Sequence, residues 1–294
     1  MINFYVPNFW QLYNLNTTLV EYMRGHPEKF YDDINIASIY GNFPSCIWNG
    51  GRTMVGPRAE PENVKATIEG LNELGIAARF TFTNCLLEEK HLSDEYCNMI
   101  MQAASNGMNE VVINSPILEK YLREEYPNFK YISSTTKCLS NEQDIFDEAE
   151  KYYLTVLDYR KNIDIPFLQK IRDSGKSDKY ELLINAYCSP NCNKRDIHYI
   201  YLSRLQLQEF KGVPHFCDNT LDTFYQVLEA YPTVLKVPDL YEIYNKEFGF
   251  RHFKIEGRTA NFFDVLESYI YYMVKPEWKD KVRLDLCKEV IYLF

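Results

Sequence analysis

Eight short runs rich in Val, Ile, Phe and Tyr recur along the chain, and each stops at a polar residue or a turn. They read INFYVPN (2–8), INIASIYGN (34–42), AARFTFTN (77–84), EVVINSP (110–116), KYISSTT (130–136), YLTVLDY (153–159), ELLINAYC (181–188) and HFKIEGR (252–258). Short runs of β-branched and aromatic residues bounded by turn formers predict strands. Between them the apolar period lengthens to that of a helix. In ENVKATIEGLNELG, Val64, Ile68, Leu71 and Leu74 share one face and Gly75 is a stop signal. LSDEYCNMIMQAASNG offers Ser93 as N-cap and Gly107 as terminator. NIDIPFLQKIRDSG and the final WKDKVRLDLCKEVIYLF follow the same pattern.

Alternating strands and helices imply parallel strands, and eight of them predict an α/β fold closed as a TIM-like (β/α)8 barrel. An open doubly wound sheet is the alternative, but the Gly-x-Gly-x-x-Gly turn expected after its first strand is absent. No linker or low-complexity stretch interrupts the chain, so residues 1–294 read as a single barrel domain. The segment around 189–250, between the seventh and last strands, is too long for one crossover. It predicts an elaboration over the barrel mouth.

Composition narrows the function classes. Apolar residues make up 46% of the chain, enough for a core without disulfides, and 24 Tyr and 18 Phe supply large side chains to fill it. A net charge of −9 argues against a general nucleic-acid groove. No apolar run is long enough to span a membrane. The opening MINFYVPNFW lacks the basic region and cleavage site of a secretory signal, so a cytoplasmic protein is expected. Its cysteines are then thiols, metal ligands or core residues.

Active sites of such barrels form at the carboxyl ends of the strands. Those ends carry Asn8, Asn42, Asn84, Asn114, Thr135, Asp158, Asn185 and Glu256. They either line a polar mouth or serve as ordinary turn and cap residues. In the last strand, alternation puts Phe253 and Ile255 on one face and His252, Lys254, Glu256 and Arg258 on the other. The charged set reads as a clamp for an anionic substrate with Glu256 as acid/base, or as an ion-pair layer fixing the strand. After the second strand, IWNGGRTMVGPR resembles a mobile loop in which Arg52 or Arg58 can bind an anion. Asn84 and Asn185 complete the candidate substrate contacts.

Cys97 and Cys287 fall among apolar helix positions and read as core residues; Cys85 and Cys138 follow strands three and five. Cys188 and Cys192 bracket a Ser-Pro-Asn turn, and Cys217 follows. A fourth ligand from His198 would suit zinc, and one from Cys46 would suit an iron–sulfur cluster. A structural loop with free thiols is the plain alternative.

FKIEGR, late in the chain and on the terminal strand, resembles a signature of the collagenase-like peptidase family. That family includes bacterial factors for oxygen-independent ubiquinone hydroxylation and for hydroxylation of RNA bases. The resemblance implies a barrel and, in the hydroxylation branch, a 4Fe-4S cluster on four cysteines, one from just after the second strand and three from the carboxyl half. Cys46, Cys188, Cys192 and Cys217 have that layout, although the family's fuller cysteine-rich run with its Gly and Arg landmarks is absent.

Three functions follow as expectations. The first is an iron–sulfur hydroxylase-like enzyme acting on a small-molecule, peptide or nucleotide substrate. The second is a peptidase-like hydrolase using zinc or the carboxylates of Asp158 and Glu256. The third is a non-catalytic barrel subunit that binds a protein partner through the stretch ESYIYYMVKPEW, which otherwise reads as core.

Overall fold

Each predicted apolar run forms a strand in the computed structural model, which describes residues 1–209, 217, 219–257 and 261–291. The strands are β1 (Ile2–Pro7), β2 (Ile34–Gly41), β3 (Ala77–Phe82), β4 (Glu110–Ile113), β5 (Lys130–Ser133), β6 (Leu154–Val156), β7 (Tyr180–Leu183) and β8 (His252–Lys254). They close in sequence order into a parallel barrel. Register is exact over short stretches: Arg79 lies opposite Glu110, and His252 opposite both Asn3 and Glu181.

The strands end before the runs do, because the polar residues that close each run make turns. Ser115 caps the next helix by accepting the Leu118 N–H at 3.4 Å, with Pro116 at the first helical position. Ser134 accepts the Thr136 N–H at 3.1 Å, and Asn84 accepts that of Leu86 at 3.0 Å.

The helices are α1 (Tyr13–Gly25), α2 (Pro61–Glu73), α3 (Glu95–Ala104), α4 (Pro116–Glu125), α5 (Glu142–Lys151), α6 (Ile165–Asp173), α7 (Arg195–Gln206), α8 (Phe224–Ala230), α9 (Val237–Asp239), α10 (Phe262–Met273) and α11 (Lys279–Ile291). In α2 the predicted face is buried at Val64, Ile68 and Leu71. The cap of α3 is Asp94 rather than Ser93. The Asp94 carboxylate accepts the Cys97 N–H at 2.8 Å, while the Ser93 hydroxyl is turned to the Lys90 carbonyl. The helix also stops short of Gly107, at Ser105. Between β7 and β8 lie α7, α8 and α9, the last running directly into a π-helical stretch, Leu240–Glu247.

The chain gathers into two compact units. One comprises Met1–Ile39, Tyr159–Pro190 and Thr220–Phe294; the other comprises Tyr40–Asp158 and Asn191–Asn219. In the first, the tyrosine-rich stretch of α10 is core. Tyr269, Ile270, Tyr272 and Met273 are fully buried, and the Tyr272 hydroxyl donates to the carbonyls of Ile184 and Leu235. In the second, Cys97 is fully buried as predicted. Cys287 differs: its thiol is only half-buried, so it is not a core residue.

Burial of phenols has a consequence at high pH. It pushes Tyr96 and Tyr244 from the ordinary 10.0 up to about 12, and Tyr272 well above the ordinary value. In the unfolded chain these groups ionise near pH 10. Above that pH the folded state holds more protons than the unfolded one, so stability falls as pH rises. Urea midpoints are expected to be flat below pH 10 for these groups and to drop between pH 10 and 12. A midpoint that holds through this range would contradict the burial described.

Candidate functional site

In the unit containing β3 to β6, the polar strand ends are drawn into an ion pair. Asp158, two residues past β6, is buried and accepts from the Arg195 Nη1 at 2.6 Å; Arg195 is itself buried at the first turn of α7. Two further guanidinium donors are engaged: Nε reaches the Tyr199 hydroxyl at 2.9 Å and Nη2 the Thr135 hydroxyl at 3.3 Å. The Thr135 hydroxyl in turn donates a hydrogen bond to the Leu157 carbonyl at 3.1 Å. The assembly fastens α7 to the ends of β5 and β6. Asp158, a candidate acid/base from its position, is engaged here as the counter-charge of Arg195.

The loop after β2 is held by hydrogen bonds from α7. Gln206 donates to the carbonyls of Cys46 and Met54 at 2.9 and 3.1 Å and accepts the Met54 N–H at 2.9 Å. Arg52 turns its guanidinium to the Gly51 carbonyl at 3.2 Å. Gly50 lies against the backbone after β3, where a Cβ would come within 2.4 Å of the Thr83 carbonyl. Gly50→Ala is therefore expected to cost about 1–3 kcal/mol, as overpacking against rigid backbone does. A urea titration showing no loss would mean the loop can move away. Asn84, a predicted substrate contact, donates to the carbonyls of Ile47 and Ser203 at 2.9 and 3.3 Å and so holds this loop to α7.

In the other unit, the ends of β7 and β8 form a second constellation. Asn185 and Glu256 are joined reciprocally: the Asn185 amide donates to the Glu256 carbonyl at 2.9 Å, and its oxygen accepts the Glu256 N–H at 2.6 Å. The side chain of Asn185, predicted to touch substrate, thus fixes the backbone of Glu256. The Glu256 carboxylate accepts the Tyr187 N–H at 3.4 Å and remains partly exposed. The Tyr187 phenol is held protonated well above its ordinary range, first by burial and then by the charges of Asp264 and Glu256.

Below this level Lys254 faces Glu181 on the neighbouring strand at 3.8 Å, both buried. The contact is diagonal across the two strands, since register sets Leu183 beside Lys254 and Glu181 beside His252. Beside it the Tyr5 hydroxyl and the His252 Nδ1 are 2.6 Å apart. Arg258 lies outside the described residues.

The cysteines are dispersed in their environments. The sulfur of Cys46 sits 3.4 Å from that of Cys97, both fully buried, and burial together with this contact pushes the Cys97 thiol up. Cys188 packs on Tyr159, Leu183 and Ala186. Cys192 and Cys217 are half-buried. Among the described residues, no three His, Cys, Asp or Glu side chains gather so as to hold a metal ion.

These strand ends belong to a (β/α)8 barrel, a class in which many chemistries share one scaffold. No protein-family model matches the chain, and no curated protein matches it. Among solved structures it is similar to the U32 peptidase Mk0906, at 13% identity and a TM-score of 0.54, over 89% of this chain and 95% of that one. At that identity the likeness is one of fold. No helix among the described residues is long and apolar enough to cross a membrane.

Sequence reading missed Arg195, Tyr187 and Glu181. Arg195 had a signal, since it opens a helix directly after the Ser-Pro-Asn turn. Tyr187 and Glu181 had none beyond their place in the seventh run.

Proposed function

We propose that the protein is a peptidase-like hydrolase that works through the carboxylate of Glu256. The observation that carries this reading is a partly exposed carboxylate at the carboxyl ends of adjacent strands, whose oxygen accepts the main-chain N–H of Tyr187 at 3.4 Å while its main chain is fixed by Asn185. Glu256 takes a proton from water as its oxygen attacks the carbonyl carbon of an amide. Tyr187 donates a hydrogen bond to the oxygen that gains charge. Glu256 then gives its proton to the departing amine as the C–N bond breaks. Asn185 holds the Glu256 backbone so that the carboxylate stays aimed. The likeness in fold to a U32 peptidase and the FKIEGR run that contains Glu256 both support a member of that broad group.

Iron–sulfur hydroxylation would need Cys46, Cys188, Cys192 and Cys217 on one cluster, and Cys46 would have to leave Cys97. Zinc at the Cys188–Cys192 turn would need further ligands. The carboxylate reading asks for neither rearrangement. Peptide hydrolysis by protein prepared anaerobically, measured before and after treatment with iron and zinc chelators, tests it. Activity is expected to survive chelation unchanged. Loss of activity together with release of iron or zinc would replace this reading with a metal-dependent one.

A further inference from the structure

The amino ends of β7 and β8 border an open surface cavity of about 340 Å³, lined by charged residues of both signs. Arg172, Arg251, Asp178 and Glu247 stand around it. Two of these are already committed. Arg172 bonds Asp173 at 2.9 Å and faces Glu247 at 3.9 Å. The other two are not: among the described residues the Arg251 guanidinium and the Asp178 carboxylate have no ion-pair partner, and although they line the same cavity they do not pair with each other. One unspent cation and one unspent anion therefore face a space of small-molecule size.

The walls are pre-formed. Ser177 donates its hydroxyl proton to the Phe248 carbonyl at 2.7 Å, tying the turn before β7 to the segment before β8. Gly249 follows with φ of 78°, a conformation that a side chain would strain, and so leaves the cavity clear.

We infer that this cavity binds a small zwitterion, a free amino acid or dipeptide, with its carboxylate on Arg251 and its ammonium on Asp178. The guanidinium fork suits a carboxylate, and the balanced lining selects against simple anions, which would meet Asp178 and Glu247 as well. The site is separate from Glu256, which lies past the opposite end of the same strands. Barrels keep their chemistry at that carboxyl end, so a ligand here is bound rather than transformed.

Calorimetric titration with the free L-amino acids and glycylglycine, each beside its N-acetyl and amide derivatives, tests the assignment. At least one zwitterion is expected to bind with a dissociation constant of about 1 mM or tighter, and each singly charged derivative about three- to tenfold more weakly. Arg251→Met should erase the preference for the free carboxylate, and Asp178→Asn that for the free ammonium. Both side chains are exposed, so the variants should keep the wild-type circular dichroism. Binding should persist in Glu256→Gln, which separates this site from the proposed hydrolytic one. No binding by any member of the panel, derivatives that bind as well as the zwitterion, or variants that bind like the wild type would overturn it.

Discussion

Arg195→Met is expected to destabilise the protein by about 3–5 kcal/mol, the cost of leaving a buried carboxylate without its counter-charge. Arg195 and Asp158 are both buried and 2.6 Å apart, and the same guanidinium also satisfies Tyr199 and Thr135. Removing it strands Asp158 and unfastens the start of α7. Because the damage is mainly the unpaired charge, Arg195→Met combined with Asp158→Leu should recover much of the loss. Urea unfolding of the two single variants and the double variant measures the coupling directly. A single-variant loss below about 1 kcal/mol would class the pair with exposed salt bridges and remove its claim to organise this strand end.

Glu256→Gln is expected to lower peptide hydrolysis by about 10²–10⁴-fold, the usual range for loss of a general base. Stability should move by no more than about 0.5 kcal/mol, since the bonds from Asn185 go to the main chain of Glu256 and survive the substitution. Tyr187→Phe should lower kcat by about 10²-fold with little change in KM, as loss of one donor to a developing oxyanion does. Kinetics on the purified variants, each checked by circular dichroism, would separate these roles. If Glu256→Gln retained wild-type kcat, the carboxylate would be part of the ion-pair layer rather than the chemistry.

The architecture was legible because it rests on local pattern. Apolar runs of strand length alternate with helical periods, and a core rich in Tyr and Phe follows from the same residues. Only the ends were misjudged, and for one reason. Asn, Ser and Asp just past a strand both terminate it and form the turn, so the runs overshoot the ladders and Asp94 displaces Ser93 as a cap. The candidate site was legible in part. Glu256 and Asn185 could be named from alternation and position, yet their reciprocal bond joins residues far apart in the chain. Lys254 meets Glu181 diagonally on the neighbouring strand, a contact that alternation along one strand does not reveal. The Cys46–Cys97 contact is likewise tertiary, and spacing along the chain carried no trace of it.

The most direct test of the Glu256 chemistry is mass-spectrometric analysis of a mixed peptide library incubated with wild-type protein and with Glu256→Gln side by side, in H₂¹⁸O. New peptide carboxylates carrying one ¹⁸O are expected from the wild type and to be absent from the variant. Cleavage that is equal in both, or a wild-type protein that leaves the library intact while holding stoichiometric iron, would contradict the carboxylate mechanism proposed for this barrel.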